Sequence, residues 1–216
     1  MKKNLTELVF VIDRSGSMSG KELDTIGGFN ATIERNRTAE GEAVVTTVLF
    51  DTTETTLHSR ADIREVRPMT ERDYRVGGCT ALLDALGGAI ERTKFVHSVL
   101  PEEYVPEHTC VVVITDGLEN ASTKFSYAQV KELIEGVQGR SWEVLYLGAN
   151  IDAAKEAGRI GIRQDRAANF VADSYGVGMA YEAVGDAVAT MRRGAPIGAN
   201  WSAKVEADHK RRNRRR

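Results

Sequence analysis

The stretch Leu8-Val9-Phe10-Val11-Ile12-Asp13-Arg14-Ser15-Gly16-Ser17-Met18-Ser19-Gly20 decides how the rest of the chain is read. Apolar residues run unbroken into an acid, and two hydroxyls then stand at alternate positions. An apolar run of this kind, bounded by a polar loop containing glycine, reads as a fully buried strand of a parallel sheet. The loop leaves from the carboxyl end of the strand, where open α/β sheets hold their ligands. Asp13, Ser15 and Ser17 therefore offer three hard oxygen groups on one loop, and Gly16 lets the backbone curl between them. Hard oxygens suit Mg²⁺, Mn²⁺ or Ca²⁺, and the loop contains nothing soft. It reads as the first half of a divalent-cation site.

Outward from this loop, Lys21 to Arg37 reads as a helix, with Leu23, Ile26, Phe29 and Ile33 forming one apolar stripe. Gly27-Gly28 weakens it intrinsically and is tolerated where the helix packs close to the sheet. Ala43 to Phe50 is β-branched and predicts a second strand; Thr55 to Ser59 returns antiparallel as an edge strand, extended by Ile63 to Val66. Arg67 to Gly78 is a polar loop and Thr80 to His97 a helix. Cys110 to Ile114 is another near-continuous apolar strand, and it too runs into an acid at Thr115-Asp116-Gly117. Ser126 to Val137 predicts a helix, Glu143 to Leu147 a strand, Asp152 to Gly158 a short helix and Asn169 to Val171 a short last strand. Tyr175 to Arg193 is a helix stopped by Gly194 and Pro196; Gly176, Gly178 and Gly185 within it fit close packing. This alternation is that of a doubly wound α/β fold: a mostly parallel sheet with helices on both faces. The expected division is one domain over residues 1–193 and a basic, disordered tail over 194–216.

Bulk composition agrees with a soluble globular protein: 216 residues, 42% hydrophobic and 28% charged. No segment is long and apolar enough to span a bilayer, and residues 1–4 pass directly into the first strand without a cleavable leader. A cytoplasmic protein is expected, with Cys79 and Cys110 as free thiols, both read as buried filler or core. His58, His97, His108 and His209 follow no metal-ligand spacing and read as surface residues. The net charge is −2, yet Lys210-Arg211-Arg212-Asn213-Arg214-Arg215-Arg216 carries six positive charges, leaving −8 on the rest.

Three loops leave one edge of such a sheet. The first holds Asp13, Ser15 and Ser17; the second, after Gly77-Gly78-Cys79, holds Thr80; the third holds Asp116. In strand order 3-2-1-4-5-6 the first and fourth strands are neighbours, so Asp13 and Asp116 face each other across the switch point. Taken singly, each residue has an ordinary reading: Asp13 a helix or turn cap, Thr80 an N-cap, Asp116-Gly117 a turn. Together, Asp13-Arg14-Ser15-Gly16-Ser17, Thr80 and Thr115-Asp116-Gly117 resemble the metal-ion-dependent adhesion site of the von Willebrand factor A (vWA), or integrin I-type, domain. The resemblance runs over about residues 5 to 193 in element order. It implies that Ser15, Ser17 and Thr80 touch a metal, with Asp13 and Asp116 acting directly or through water. It also implies a module that bridges through Mg²⁺, or Mn²⁺ or Ca²⁺, to a Glu or Asp of a partner protein. Intracellular, bacterial-type relatives serve larger ATPase or stress-response complexes, and the last helix shifts axially in some members.

Two other readings stay open. A metal-dependent phosphohydrolase could use Asp13, although Ser15 stands where that chemistry wants a second carboxylate. A nucleic-acid-associated scaffold could be recruited by residues 210–216, although the run has no aromatic interleaving; it could equally dock on its own acidic body. Phosphate-binding and dinucleotide glycine motifs are missing, as is a hydrolase elbow with its serine central, so no catalysis is expected.

Overall fold

The computed structural model describes residues 1–139 and 141–214. Its centre is a sheet of strands β1 (Lys2–Asp13), β2 (Glu42–Phe50), β3 (Glu54–Asp62), β4 (Pro106–Thr115), β5 (Trp142–Ala149) and β6 (Ala167–Phe170). The strand order is β3-β2-β1-β4-β5-β6. Every pairing is parallel except β2 with β3, which makes β3 the antiparallel edge. The doubly wound, mostly parallel sheet read from the sequence is present in this order.

The apolar run of β1 is unbroken because it faces two cores. Leu8, Phe10 and Ile12 point into one layer, with helices α1 (Glu22–Arg37) and α5 (Ser174–Arg192). Val9 and Val11 point into the other, with α2 (Leu82–Val99), α3 (Tyr127–Val137) and α4 (Ala153–Arg159). The same alternation repeats in β4, where Cys110, Val112 and Ile114 share the first layer and Val111 and Val113 the second. Strand alternation of period two thus yields continuous hydrophobicity when both faces are covered. Local capping agrees: Ser126 and Gln129 form a reciprocal capping box at α3, Asp152 accepts from the Lys155 amide at α4, and Asp173 accepts from the Gly176 amide at α5.

Several expectations need correction. Leu23, placed on the inner stripe of the first helix, is 69% exposed, while Ile26, Phe29 and Ile33 are buried. Ile63 and Val66 do not extend β3; they turn under it into the first core. His58 is not a surface residue: its ring stacks on Phe29 and its nitrogens meet Thr47 Oγ1 and the Arg67 carbonyl, each at 3.1 Å. His97 is half-buried, its Nε2 lying 2.8 Å from buried Glu7, which also meets Arg60.

The disordered tail is corrected as well. Within residues 194–214 lies helix α6 (Ala203–Asn213), seated on α5 and β6. It has no apolar stripe to betray it; Val205 is its buried anchor, and Glu206 Oε1 accepts from the Asn169 amide at 2.6 Å. Upstream, Trp201 Nε1 donates to the Asp165 carbonyl at 2.9 Å. Of the basic run, Lys210 lies 3.7 Å from Glu206, Arg211 pairs with Asp208 at 2.6 Å, and Arg212 pairs with both Asp208 and Asp173. Arg215 and Arg216 lie outside the described residues.

Candidate metal centre at the carboxyl edge of the sheet

β1 and β4 are adjacent and in register up to Ile12 and Ile114, so the loops that follow them open side by side. Asp13 is wholly buried at the end of β1. Its Oδ1 accepts from the Ser15 amide at 2.7 Å, and its Oδ2 accepts from Thr115 Oγ1 at 2.5 Å. In the turn that this bond closes, Ser15 is buried, while Ser17 stays exposed with its hydroxyl turned to Asp116. Burial pushes the Asp13 carboxyl above its ordinary value; the hydrogen bonds from Thr115 and Ser15 oppose this, and the nearby charge of Asp116 adds to it. A positive charge among these oxygens would relieve that desolvation.

The hydroxyls form one connected chain. Thr80 Oγ1 donates to Ser15 Oγ at 3.0 Å, Ser15 Oγ lies 3.1 Å from Ser17 Oγ, and Ser17 Oγ donates to Asp116 Oδ1 at 2.5 Å. All five residues singled out from the sequence, Asp13, Ser15, Ser17, Thr80 and Asp116, thus come together in space. Gly117 keeps the space beside them open: a β-carbon there would stand 3.1 Å from Thr80 Oγ1, 3.2 Å from Ser17 Oγ and 3.9 Å from Asp13 Oδ2.

Thr80 is delivered by contacts that the sequence did not reveal. Its amide donates to Asn120 Oδ1 at 2.9 Å, and the Asn120 amide returns a bond to its carbonyl at 3.0 Å. Glu119 accepts from the Leu83 amide in the first turn of α2 at 2.8 Å and from the amides of Ala121 and Ser122. Asp84 of α2 accepts from the amides of Thr123, Lys124 and Phe125, each at 2.9 Å. Burial works to raise the Asp84 carboxyl, but these backbone donors prevail and hold it below its ordinary value. The loop after β4 is thereby fastened to the start of α2. On the other side, the Gly16 amide donates to the Gly78 carbonyl at 3.1 Å and the Gly77 amide to the Arg14 carbonyl at 2.9 Å. Gly78 supports this approach with φ +70°. Beneath them, the Tyr74 hydroxyl donates to the Asp13 carbonyl.

One further residue enters the site. Lys21 Nζ donates to Asp116 Oδ2 and to the Ser17 carbonyl, both at 2.6 Å. From the sequence, Lys21 is only the start of a helix. Cys79, expected as buried filler, is exposed, and Cys110 is buried, its thiol pushed up to about 12 by burial. Among the described residues no three His, Cys, Asp or Glu side chains gather as a metal cluster, so a cation here would rely on hydroxyls as much as on carboxylates. The donor set suits a hard divalent ion: two carboxylates, three hydroxyls and an open space beside them.

No protein family model and no curated protein matches the sequence. Solved structures do match. Proximal thread matrix protein 1 from the mussel byssus, solved with a zinc-occupied metal-ion-dependent adhesion motif, aligns at a TM-score of 0.58 and 17% identity over 85% of this chain and 46% of that one. A von Willebrand factor type A protein from Catenulispora acidiphila aligns at 0.56 and 17% identity, over 84% and 42% of the two chains. The fold is that of the vWA domain. The ArnB paralog VWA2 from Sulfolobus acidocaldarius shares it, at 0.54 and 14% identity over 84% and 44%. At these identities the likeness is one of fold, and the chain spans less than half the length of each of these vWA-fold chains. Among the described residues no helix is long and apolar enough to cross a membrane.

Proposed function

We propose that this chain is a divalent-cation-dependent protein-interaction module whose cation is held by Ser15, Ser17 and Thr80, with Asp13 and Asp116 orienting those hydroxyls and supplying negative charge. Mg²⁺ is the preferred ion in this reading, and Mn²⁺ or Ca²⁺ satisfy the same donors. The observation that carries it is the continuous path of oxygens from Thr80 through Ser15 and Ser17 to Asp116, beside the space that Gly117 leaves open. An ion bound there supplies an electrophilic position for an acidic oxygen brought by a partner protein. Asp13 keeps the Ser15 turn fixed, Thr115 keeps Asp13 fixed, and Glu119 and Asn120 keep Thr80 in reach of both.

The surroundings favour a protein partner. Leu118 follows the Asp116 loop, Leu23 follows Lys21, and Tyr175 adjoins Ser174, whose hydroxyl bonds Asp24 at 2.8 Å. All three are among the large apolar side chains left exposed, as a surface that meets a protein would offer. Asp13 is ill suited to a phosphohydrolase: it is buried and both its oxygens already accept hydrogen bonds. Recruitment of nucleic acid is disfavoured by the ion pairs that Arg211 and Arg212 make with the chain's own acids.

Calorimetric titration with Mg²⁺ is expected to give saturable binding that Ser15→Ala and Asp116→Ala abolish. Equal heats in all three proteins would remove the metal centre. A pull-down with and without chelator then tests the partner: proteins released by chelator support the bridge, and an identical set in both arms contradicts it.

A further inference from the structure

Lys21 is the residue that local rules least explain. It is the N-cap of α1, at φ −116° and ψ 8°, and its side chain makes no cap hydrogen bond. Asp, Asn, Ser or Thr is favoured there, and a cation at a helix N-terminus opposes the helix dipole. Lysine also ordinarily keeps its ammonium in water. Here the side chain is only 12% exposed, and its ammonium is spent on Asp116 Oδ2 and the Ser17 carbonyl, at the foot of the hydroxyl path. A locally unfavourable residue held in place by a distant acid marks a functional constraint.

We propose that Lys21 is a built-in cation of the metal centre, which holds Asp116 and the Ser17 turn in their ligating arrangement and makes cation binding depend on an incoming carboxylate; this rests on the divalent-cation reading above. The charge count gives the reason. Asp13 and Asp116 contribute two negative charges and Lys21 returns one, so the centre is worth a single negative charge. A divalent ion then leaves a surplus of one positive charge, and one acidic side chain from a partner cancels it. Without Lys21 the ion alone would neutralise the centre, and the carboxylate would have less to gain. Lys21 therefore weakens binding of the bare ion and strengthens binding of the acid. By linkage, the acid in turn strengthens binding of the ion.

The test compares wild type with Lys21→Gln, which keeps a neutral donor for Asp116 and the Ser17 carbonyl, and with Lys21→Arg, which keeps the charge. Lys21→Asn, a neutral donor of a type favoured at helix N-caps, is the second neutral variant should the Gln form fold poorly. Each is titrated with Mg²⁺ by calorimetry and with Mn²⁺ by electron paramagnetic resonance, with and without acetate as the carboxylate probe. The neutral variants are expected to bind the bare ion about tenfold tighter or more, to lose most of the affinity gain that acetate confers on wild type, and to leave Lys21→Arg near wild type. Unchanged or weaker ion binding in the neutral variants, or an undiminished acetate effect, overturns the role of Lys21 while the metal centre stands. No ion binding by any of the proteins overturns the metal centre itself, and this proposal with it.

Discussion

Replacing Gly117 by alanine tests the geometry of the centre most directly. The added methyl would sit 3.1 Å from Thr80 Oγ1 and 3.2 Å from Ser17 Oγ, a few tenths of an ångström inside ordinary carbon–oxygen contact. Both neighbours are side-chain hydroxyls that can give way, so the metal-free protein should lose only about 1 kcal/mol, the low end for overpacking. The effect on the ion should be far larger. Mg²⁺ requires oxygens at about 2.1 Å on nearly ideal octahedral positions, and hydroxyls pushed apart by a methyl cannot supply them. An ion at a hundredfold excess over its dissociation constant stabilises a folded protein by about 2.7 kcal/mol. For a chain of this size that corresponds to a rise in Tm of roughly 5–10 °C. Thermal unfolding with saturating Mg²⁺ and with chelator should show that rise in wild type and none in Gly117→Ala, whose Tm in chelator should lie only about 2–4 °C below that of wild type. A variant that keeps the full Mg²⁺-induced rise would refute the placement of the ion among these oxygens.

Asp84→Asn should cost about 1.5–3 kcal/mol near neutral pH, because three backbone donors lose a charged acceptor. The folded carboxyl is held below its ordinary value of 3.8, so this stabilisation is complete above that pH and fades as pH falls through and below it. Denaturant unfolding of both proteins should show their difference shrinking between pH 6 and pH 3. The paired glycines of α1 should part company: a β-carbon on Gly28 would meet the Tyr181 ring at 2.3 Å, whereas one on Gly27 meets nothing within 4 Å. Gly28→Ala is expected to destabilise by about 1–3 kcal/mol and Gly27→Ala to stabilise by up to about 1 kcal/mol, read from urea midpoints. Val205→Asp should release α6, exposing Trp201 and undoing the Arg212–Asp173 pair; indole fluorescence and faster proteolysis after the basic residues would report it, at about 2–4 kcal/mol for an unpaired buried charge.

Much of the fold was legible because each core element carries its own burial record. The runs Leu8–Ile12 and Cys110–Ile114 show no alternation since both faces are covered, and their terminal acids mark where the loops begin. Leu23 was misjudged because helical spacing alone did not fix the inner face of α1: Leu23 shares the exposed side with Gly27, while Thr25, Ile26, Phe29, Thr32 and Ile33 turn inward. Cys79 was misjudged because small size does not imply burial on a loop. Helix α6 went unread because it is held by Glu206 and Arg212 reaching to Asn169 and Asp173 in other elements, and such contacts leave no periodicity behind. Lys21 did carry a signal, a cation at a helix start, that local rules count as an error.

From the sequence alone came the alternation of strands and helices, the two apolar layers and the oxygen-bearing residues on three separate loops. These follow from interactions within a strand, a helix turn or a loop, where neighbours in sequence are neighbours in space. The tertiary structure alone decided that Lys21 spends its charge on Asp116, 95 residues away, and that Glu119, Asn120 and Asp84 fasten one loop to the next helix. Those pairings depend on the angle at which α2 leaves the sheet and on which donors burial has stripped of water. Both are set by packing over the whole domain, so no window of sequence contains them.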